Sequence, residues 1–476
     1  MRSTATKIIQ CLQQAGFAGF WVGGCVRDFL LGREPQDYDI VTSALPEEVE
    51  QVFKRTISVG RKFGVMVVLE GGHEFQVATF RAEADYQDGR HPEQVTFGDA
   101  RADAERRDFT VNGLFYDPLE KKLHDWVGGE KDLRAKIIRT IGHPEERFSE
   151  DHLRLLRAVR FAAQLGFEIE DKTFAAVKAN ASKIKTISAE RIRDELIKLF
   201  APPSLPLPAT KRGEEKESAR RTPARQDEGG LGRAERVLGV PAARGLELLR
   251  ESGLLKHILP ELEATIHCEQ SADYHPEGSV FNHLRLMLEK MPVDADPSLP
   301  WSVLMHDIAK PVTATRDEKT GSIHFYEHER IGADMAEKIL ERLRFPRKQT
   351  EAIVKAVRCH MQFKDAPQMR KSTLRRLLMR PTFPLELELH RLDCLGSHGK
   401  LDIYNFLIEQ AVELEKKPEI HPPLLTGNDL IKLGLKPGPA MGKLLGEIRE
   451  KQLQDELKTP TEARAWVKQQ LRNSAS

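Results

Sequence analysis

The sequence predicts an α+β protein in which a head, a small mixed sheet with helices, is followed by a long all-α body. Three observations predict it. Residues 17–142 interleave short apolar runs of strand length with helical patterns. After residue 143 the strand signal nearly vanishes and amphipathic helices take over. Between two such helices, residues 201–236 lose all periodicity.

Taken in order, residues 1–16 read as a short amphipathic helix carrying Ile8, Ile9 and Leu12, not as a signal peptide. Strands are expected at 20–23, 38–42, 65–70, 74–81 and 122–125. A helix is expected at 46–55, where Val49, Val52 and Phe53 form a stripe. The body should contain helices at 149–165, 188–200, 243–255, 331–344 and 348–360. Residues 201–208 hold four prolines, and 211–236 carry eight basic and six acidic side chains with almost nothing large and apolar. Such a stretch cannot bury enough surface to offset its ordering entropy, so it reads as a disordered insertion. A basic RNA-gripping arm is the alternative, although eight minus six leaves only +2. No internal repeat is seen.

Composition narrows the class. A chain of 476 residues holds two to four domains. With 30% charged residues but a net charge of +1, any nucleic-acid surface must be a local basic patch. The five cysteines show no Cys-x-x-Cys spacing, which suits a reducing cytoplasm. No apolar run approaches the ~18 residues of a membrane span. A soluble cytoplasmic protein follows as the expectation.

The most informative window is Gly23-Gly24-Cys25-Val26-Arg27-Asp28, followed by Asp37-Tyr38-Asp39. Alternate strand residues share a face, so Asp37 and Asp39 would present two carboxylates side by side, as a pair of Mg²⁺ ions requires. The glycines let backbone approach a triphosphate at the start of a helix near Cys25. Taken singly, Asp-x-Asp is a common solvated turn and Gly-Gly is weaker still. The order strand, Gly-Gly, Arg-Asp, helix, Asp-x-Asp, strand is what points to phosphoryl transfer.

This window resembles the signature of polymerase-β-like nucleotidyltransferases, and specifically the class II tRNA nucleotidyltransferase/poly(A) polymerase family. Three further runs extend the resemblance. Phe80-Arg81-Ala82-Glu83 with Tyr86, Asp88-Gly89-Arg90 and Pro92 is similar to a family loop that helps switch CTP to ATP specificity in CCA-adding members. Arg106-Arg107-Asp108-Phe109-Thr110-Val111-Asn112 is similar to a run that binds triphosphate and sugar, through forked arginine contacts and an amide to a ribose hydroxyl. Gly113 stands where the family usually has Ala. Glu150-Asp151-His152-Leu153-Arg154, continuing through Arg157 and Arg160, resembles a motif in which side chains replace a template. On one continuous helix Asp151 and Arg154 lie about 60° apart, where an acceptor and a donor fork can read a base edge. An i,i+3 surface ion pair is the plainer use of such residues.

The resemblance therefore implies catalytic Asp37 and Asp39 holding Mg²⁺. It implies nucleotide contacts from Gly23, Gly24, Arg27, Arg107, Asp108, Asn112, Asp151, Arg154, Arg157 and Arg160. A third carboxylate stays open: relatives often have an acid where Gln76 stands, and Glu74 is on the same face. Ser188 to Leu196 resembles a family neck motif, read as bracing. Tail residues Gly434 to Lys443, with Gly427-Asn428-Asp429-Leu430 before them, offer either an RNA phosphate contact or a tight helix–helix turn.

A second resemblance is to the HD domain, carried by Val280-Phe281-Asn282-His283 and Leu304-Met305-His306-Asp307-Ile308-Ala309-Lys310. It implies a divalent metal on His283, His306, Asp307 and Asp393, with His328 and His360 able to hold a second. Imidazole with carboxylate suits Mn²⁺, Fe²⁺, Ni²⁺ or Zn²⁺. His267, His390 and His398 read as ordinary solvated or core histidines. The expected domains are a head at 1–142, a helical neck at 143–265, an HD domain at 266–400 and a helical tail at 401–476. The expected activity is addition of CCA to tRNA from CTP and ATP. Poly(A) addition, CC-only or A-only addition, and an HD phosphohydrolase with an RNA-holding head are the alternatives. Oligomeric state is not legible.

Overall fold

The computed structural model describes residues 1–82, 97–202, 240–271, 275–416 and 422–473. Most of the expected loop at 80–92 and nearly all of the insertion expected at 201–236 lie outside them. The chain forms two compact units. The first is Met1–Ala264 with two short pieces, Met291–Ala295 and Glu341–Phe345; the second is Thr265–Lys290, Asp296–Leu340 and Pro346–Ser476.

The first unit begins with the helix Arg2–Gln14, which buries Ala5, Ile8, Ile9 and Leu12. A seven-stranded sheet follows: β1 (Gly19–Val22), β2 (Asp39–Thr42), β3 (Thr56–Gly60), β4 (Val65–Glu70), β5 (His73–Thr79), β6 (Phe115–Asp117) and β7 (Lys122–His124). Their spatial order is β3-β4-β5-β2-β1-β6-β7. The β2–β5 pair is parallel and all others are antiparallel, so the sheet is mixed as expected. Two strands of this sheet went unpredicted. β3 begins in polar Thr56 and its pairing to β4 shifts register between Ile57 and Gly60, which blurs the period-2 signal. β6 is only three residues long. Trp21, Val22, Ile40, Phe75, Val77 and Phe115 fill the sheet's core.

Beyond the sheet the unit is helical apart from a parallel two-residue pairing of Ile137–Ile138 with Glu168–Ile169. The expected helix at 149–165 is in fact two. Pro144–Glu150 ends at Asp151, whose backbone is extended (φ −150°, ψ 105°), and a new helix runs Leu153–Leu165. Asp151 accepts the Leu153 amide at 3.0 Å, as a short acidic side chain does at a helix start. Leu153–Leu165 packs with Ala189–Phe200 and Val240–Glu251 through Leu156, Val159, Leu196, Leu199 and Leu246. At Gly245 the approach is so close that a Cβ would lie 2.5 Å from Leu199 Cδ1. Glycine is the residue that permits this crossing.

The second unit is built on helices Val280–Glu289, Leu299–Met305, His328–Arg342, Arg347–Cys359 and Phe383–Gly396. One antiparallel ribbon, Ala314–Arg316 with Ile323–Phe325, interrupts them. Further on, Phe363, Leu374, Leu377, Phe383 and Leu407 form a core, and Leu425, Leu430, Met441 and Val467 form another. Buried Arg375 joins these parts by donating to Leu453 O at 2.8 Å and to Asp455 at 2.7 Å. Residues Gly427-Asn428-Asp429-Leu430 lie in a helix, Gly427–Lys432, with Thr426 and Asp429 forming a capping box. The Gly/Pro run is the turn into Pro439–Leu453.

Candidate active site

Strand β1 ends in Val22, and Gly23 then turns the chain with φ +70°, a conformation glycine adopts without strain. The helix Gly24–Leu30 starts there. The buried Cys25 thiol sits 3.2 Å from Val22 O and 3.9 Å from Asp39 O, tying the helix start to β2. Asp39 is the first residue of β2 and pairs with Val22, so it stands beside the Gly-Gly turn. Asp37 lies in the bend before β2, not on the strand as expected. Both carboxylates are exposed at their edge. Asp39 is nonetheless held above its ordinary value, first by the protein packed around it and then by the Asp37 charge, with Arg107 opposing. A divalent cation would relieve that repulsion, so the pair fits a Mg²⁺ site.

The register of β5 bears on a third carboxylate. Ile40 pairs with Val77, which sets Gln76 level with Asp39. Glu74 lies two residues, about 7 Å, further along the strand. The side chain nearest in register is thus an amide.

Arg107 comes from the loop after the helix Ala100–Glu105. Its Nη1 lies 3.2 Å from where a Gly23 Cβ would be, so the guanidinium overhangs the turn. Its other edge, Nε and Nη2, donates to Asp103 at 3.3 and 3.0 Å. Its plane lies over Phe115, 5.2 Å from the ring centre. Arg27, Asn112, Asp108 and Arg157 form a second chain. Arg27 Nη1 donates to Asn112 Oδ1 at 2.7 Å, and Asn112 Nδ2 donates to Asp108 Oδ1 at 3.1 Å. Arg157 forks onto Asp108 Oδ2 at 2.8 and 2.6 Å. Burial alone would raise Asp108, but Arg157 and Asn112 outweigh it and bring the carboxyl from 3.8 down to about 2. Arg157 also reaches Glu195 at 3.6 Å, and Glu195 accepts from Arg160 at 2.6 Å.

Asp151 and Arg154 are not paired with each other. Asp151 accepts from Arg191 at 2.6 Å, and Arg154 donates to Glu150 at 2.5 Å and to Arg147 O at 3.0 Å. The helix break rather than a shared helix face sets their arrangement. Sequence reasoning missed Asp103, Glu195 and the reach of Arg191 to Asp151. Arg191 and Glu195 were visible within the run Ser188 to Leu196, but a spacing of 40 residues from Asp151 leaves no periodic trace. The start of the expected loop is anchored, since Arg81 N donates to Asp103 at 3.1 Å and Arg81 bridges to Phe97. Glu83, Tyr86, Asp88, Gly89, Arg90 and Pro92 lie outside the described residues.

The second unit gathers the histidines expected there. His306, His328 and His360 each place Nδ1 at 2.7–2.8 Å from the backbone oxygen of Val303, Phe325 and Val357. A carbonyl only accepts, so Nδ1 carries the proton and each Nε2 lone pair is left for a metal. His306 Nε2 lies 3.2 Å from Asp307 Oδ2, and His328 Nε2 lies 3.5 Å from Asp307 Oδ1 and 3.2 Å from His360 Nε2. His283 Nε2 lies 3.1 Å from Asp393, and its Nδ1 lies 2.8 Å from Glu277. The groups His283, His306, Asp307 and Asp307, His328, His360 each converge closely enough for one ion. Burial and the neighbouring His306 push His360 down to about 3, so it is neutral at pH 7. Burial opposes charge on His283, but Asp393 and Glu277 raise it to about 9, so a cation binding at its Nε2 would displace a proton. Among the described residues, Nε2 of His283 and His306 and both Asp307 oxygens are buried without a well-formed hydrogen bond. Four imidazoles and two carboxylates, with orphaned atoms on His283, His306 and Asp307, fit a divalent metal. Lys310 offsets part of the charge at 2.7 Å from Asp307. His390 packs on Phe363 in the core, and His398 is exposed.

A mixed sheet carrying a Gly-Gly turn, an Asp-x-Asp pair and an overhanging arginine defines a polymerase-type nucleotidyltransferase head. Comparison with known proteins agrees. A poly A polymerase head domain matches residues 19–139, a probable RNA-binding site of polymerase A matches 166–204, and an HD domain matches 275–395. The chain thus carries a poly A polymerase head domain, a probable RNA-binding site of polymerase A and an HD domain, in that order. It is 48% identical over 196 residues to a CCA-adding enzyme of Lactobacillus helveticus, covering 41% of this chain and 49% of that one. It is 48% identical over 200 residues to a CCA-adding enzyme of a Geobacillus strain, covering 42% and 49%. The match thus spans about half the length of these relatives. Among solved structures, the Bacillus stearothermophilus CCA-adding enzyme in complex with CTP superposes with a TM-score of 0.69 at 26% identity, covering 99% of this chain and 98% of that chain. No described helix is long and apolar enough to cross a membrane.

Proposed function

We propose that this protein adds the 3′-terminal CCA to tRNA from CTP and ATP, in the cytoplasm and without a nucleic-acid template. The observation that carries this reading is the placement of Asp39, beside Asp37 and against the Gly23 turn, under the Arg107 guanidinium. The relatives that match the chain are CCA-adding enzymes, which supports the choice of product. Asp37 and Asp39 would hold Mg²⁺, which when bound acidifies the attacking hydroxyl and offsets phosphate charge. Arg107 binds the triphosphate over the backbone of Gly23 and Gly24. Asn112, oriented by Arg27 and Asp108, offers its amide to a ribose hydroxyl. Asp151 and Arg154 read the base edge once their contacts to Arg191 and Glu150 are exchanged for the nucleotide. The RNA 3′-oxygen bonds to the α-phosphorus, the bond to the β-phosphate oxygen breaks, and pyrophosphate leaves.

The head then comprises residues 1–142, the neck 143–265, the HD domain 266–400 and the tail 401–476. The test is incubation of the protein with tRNAs lacking CCA, CA or A, and each labelled triphosphate. Products that stop at CCA support the reading. Products that stop at CC, add only A, or run into a long A tail assign one of the alternatives.

The histidine cluster favours a second activity in the other unit. His283, His306, Asp307 and Asp393, with His328 and His360, would hold Mn²⁺, Fe²⁺, Ni²⁺ or Zn²⁺, supplying a Lewis acid for phosphate ester hydrolysis. Phosphate release from 2′-phosphate substrates, or ring opening of 2′,3′-cyclic ones, should occur with such a metal and be lost in His306→Ala. Equal rates in the two proteins would remove the assignment.

A further inference from the structure

Asp103 is buried to 0% exposure, yet it is an acid in a helix of only six residues. Its two oxygens divide their work. Oδ1 accepts from Arg106 Nε at 2.8 Å and Nη2 at 2.5 Å, and from the Arg81 amide at 3.1 Å. Oδ2 accepts from Arg107 Nε at 3.3 Å and Nη2 at 3.0 Å. Burial opposes the charge on Asp103, but Arg107 and Arg106 outweigh it and hold the carboxyl below its ordinary value.

The consequence lies in which edge of Arg107 is used. A guanidinium has five N–H donors in a rigid plane. Asp103 takes the Nε/Nη2 edge, and Phe115 supports the face. That leaves Nη1, with no partner among the described residues, held 3.2 Å from the Gly23 Cβ position. The carboxylate therefore fixes the plane of Arg107 and aims its unused donors at the turn beside Asp39. Arg106 shares the anchor but faces elsewhere, donating to Arg81 O at 3.2 Å.

We propose that Asp103 is a positioning residue for the triphosphate, acting through Arg107. This rests on the reading of Arg107 as a triphosphate ligand. Asp103 touches no substrate. It supplies the charge-assisted fork that preorganises the arginine before the nucleotide arrives. The contribution is blind to the base, because the aimed donors meet phosphate only.

The test is a double-mutant cycle of Asp103→Asn and Arg107→Ala, read by KM for CTP and ATP and by equilibrium binding of tripolyphosphate. Asp103→Asn keeps the shape and removes the charge. It should raise both KM values about tenfold by similar factors, weaken tripolyphosphate about as much, and leave kcat within about twofold. In the Arg107→Ala background the same change should have little further effect. An undiminished effect in that background would overturn the proposal, because Asp103 would then act through the fold at large. If Arg107→Ala alone leaves tripolyphosphate binding unchanged, the reading of Arg107 fails and takes this role with it. Arg107→Lys, in the native Asp103 background, covers the case in which Asp103→Asn does not fold. It keeps the charge without the fork and should raise both KM values comparably, whereas unchanged values would overturn the aiming role.

Discussion

Asp39 shows how one residue can be poorly suited to its fold and well suited to its chemistry. Its carboxylate is held above its ordinary value by surrounding protein and by Asp37. Ionised Asp39 therefore costs stability in the absence of a cation. Asp39→Ala should abolish nucleotide addition while leaving the thermal midpoint unchanged or slightly higher, measured without Mg²⁺. A fall of several degrees would show that the carboxylate supports the fold. Gly23 makes the complementary case. Its φ of +70° and ψ of −130° belong to glycine, and a Cβ there meets Arg107 Nη1 at 3.2 Å. Gly23→Ala should cost about 1–3 kcal/mol in chemical denaturation and raise the KM for both triphosphates. An unchanged KM would mean the turn does not face the triphosphate. Both glycines and both aspartates were legible in the sequence as a pattern. Asp103 was not, because a lone acid on a short helix looks like any solvated residue until burial and two guanidinium forks are seen.

At the scale of elements, the helix break at Asp151 is the main departure from expectation. The run from Ser149 to Leu165 has a continuous apolar stripe, so periodicity alone reads it as one helix. Asp151 instead ends the first helix, accepts the amide of Leu153 at the start of the second, and accepts Arg191 from Ala189–Phe200. A contact across 40 residues outweighed local propensity. The same helices hold Asp108, which joins the head loop to Leu153–Leu165 through Arg157. Its folded value is depressed, so its contribution is present above its unfolded value near 3.8 and is lost as pH falls through about 2. The gap corresponds to about 2 kcal/mol. Denaturant unfolding between pH 5 and 2 should show a stability loss of about this size that is absent in Asp108→Asn. An identical pH dependence in the two proteins would refute the linkage.

At the scale of the whole molecule, two units carry two sets of chemistry. The head, with the neck helices, holds carboxylates, arginines and a Gly-Gly turn; the second unit holds imidazoles. The divalent metals suited to histidine should bind the second unit and stabilise it by mass action. At a hundredfold excess over Kd the gain is about 2.7 kcal/mol. Calorimetry should therefore show a transition that rises with Mn²⁺ or Ni²⁺ and falls with chelator. His306→Ala with Asp307→Ala should abolish that response and leave the proposed CCA addition within about twofold. A metal response that persists in the double variant would place the ion elsewhere.

Much of this architecture was written locally. Strand and helix periods, the Gly-Gly turn, the Asp-x-Asp pair and the His-Asp dipeptide each depend on residues within a few positions of one another, and so the sequence by itself determined the α+β class, the head and the two clusters. Tertiary structure alone decided the rest. It placed Gln76 level with Asp39, set Arg191 on Asp151, gave His306, His328 and His360 a backbone carbonyl for Nδ1, and buried Asp103 between two arginines. Those outcomes turn on sheet register and on contacts between segments distant in the chain. Periodicity carries no information about either, because it records which face a residue occupies and not what comes to meet it.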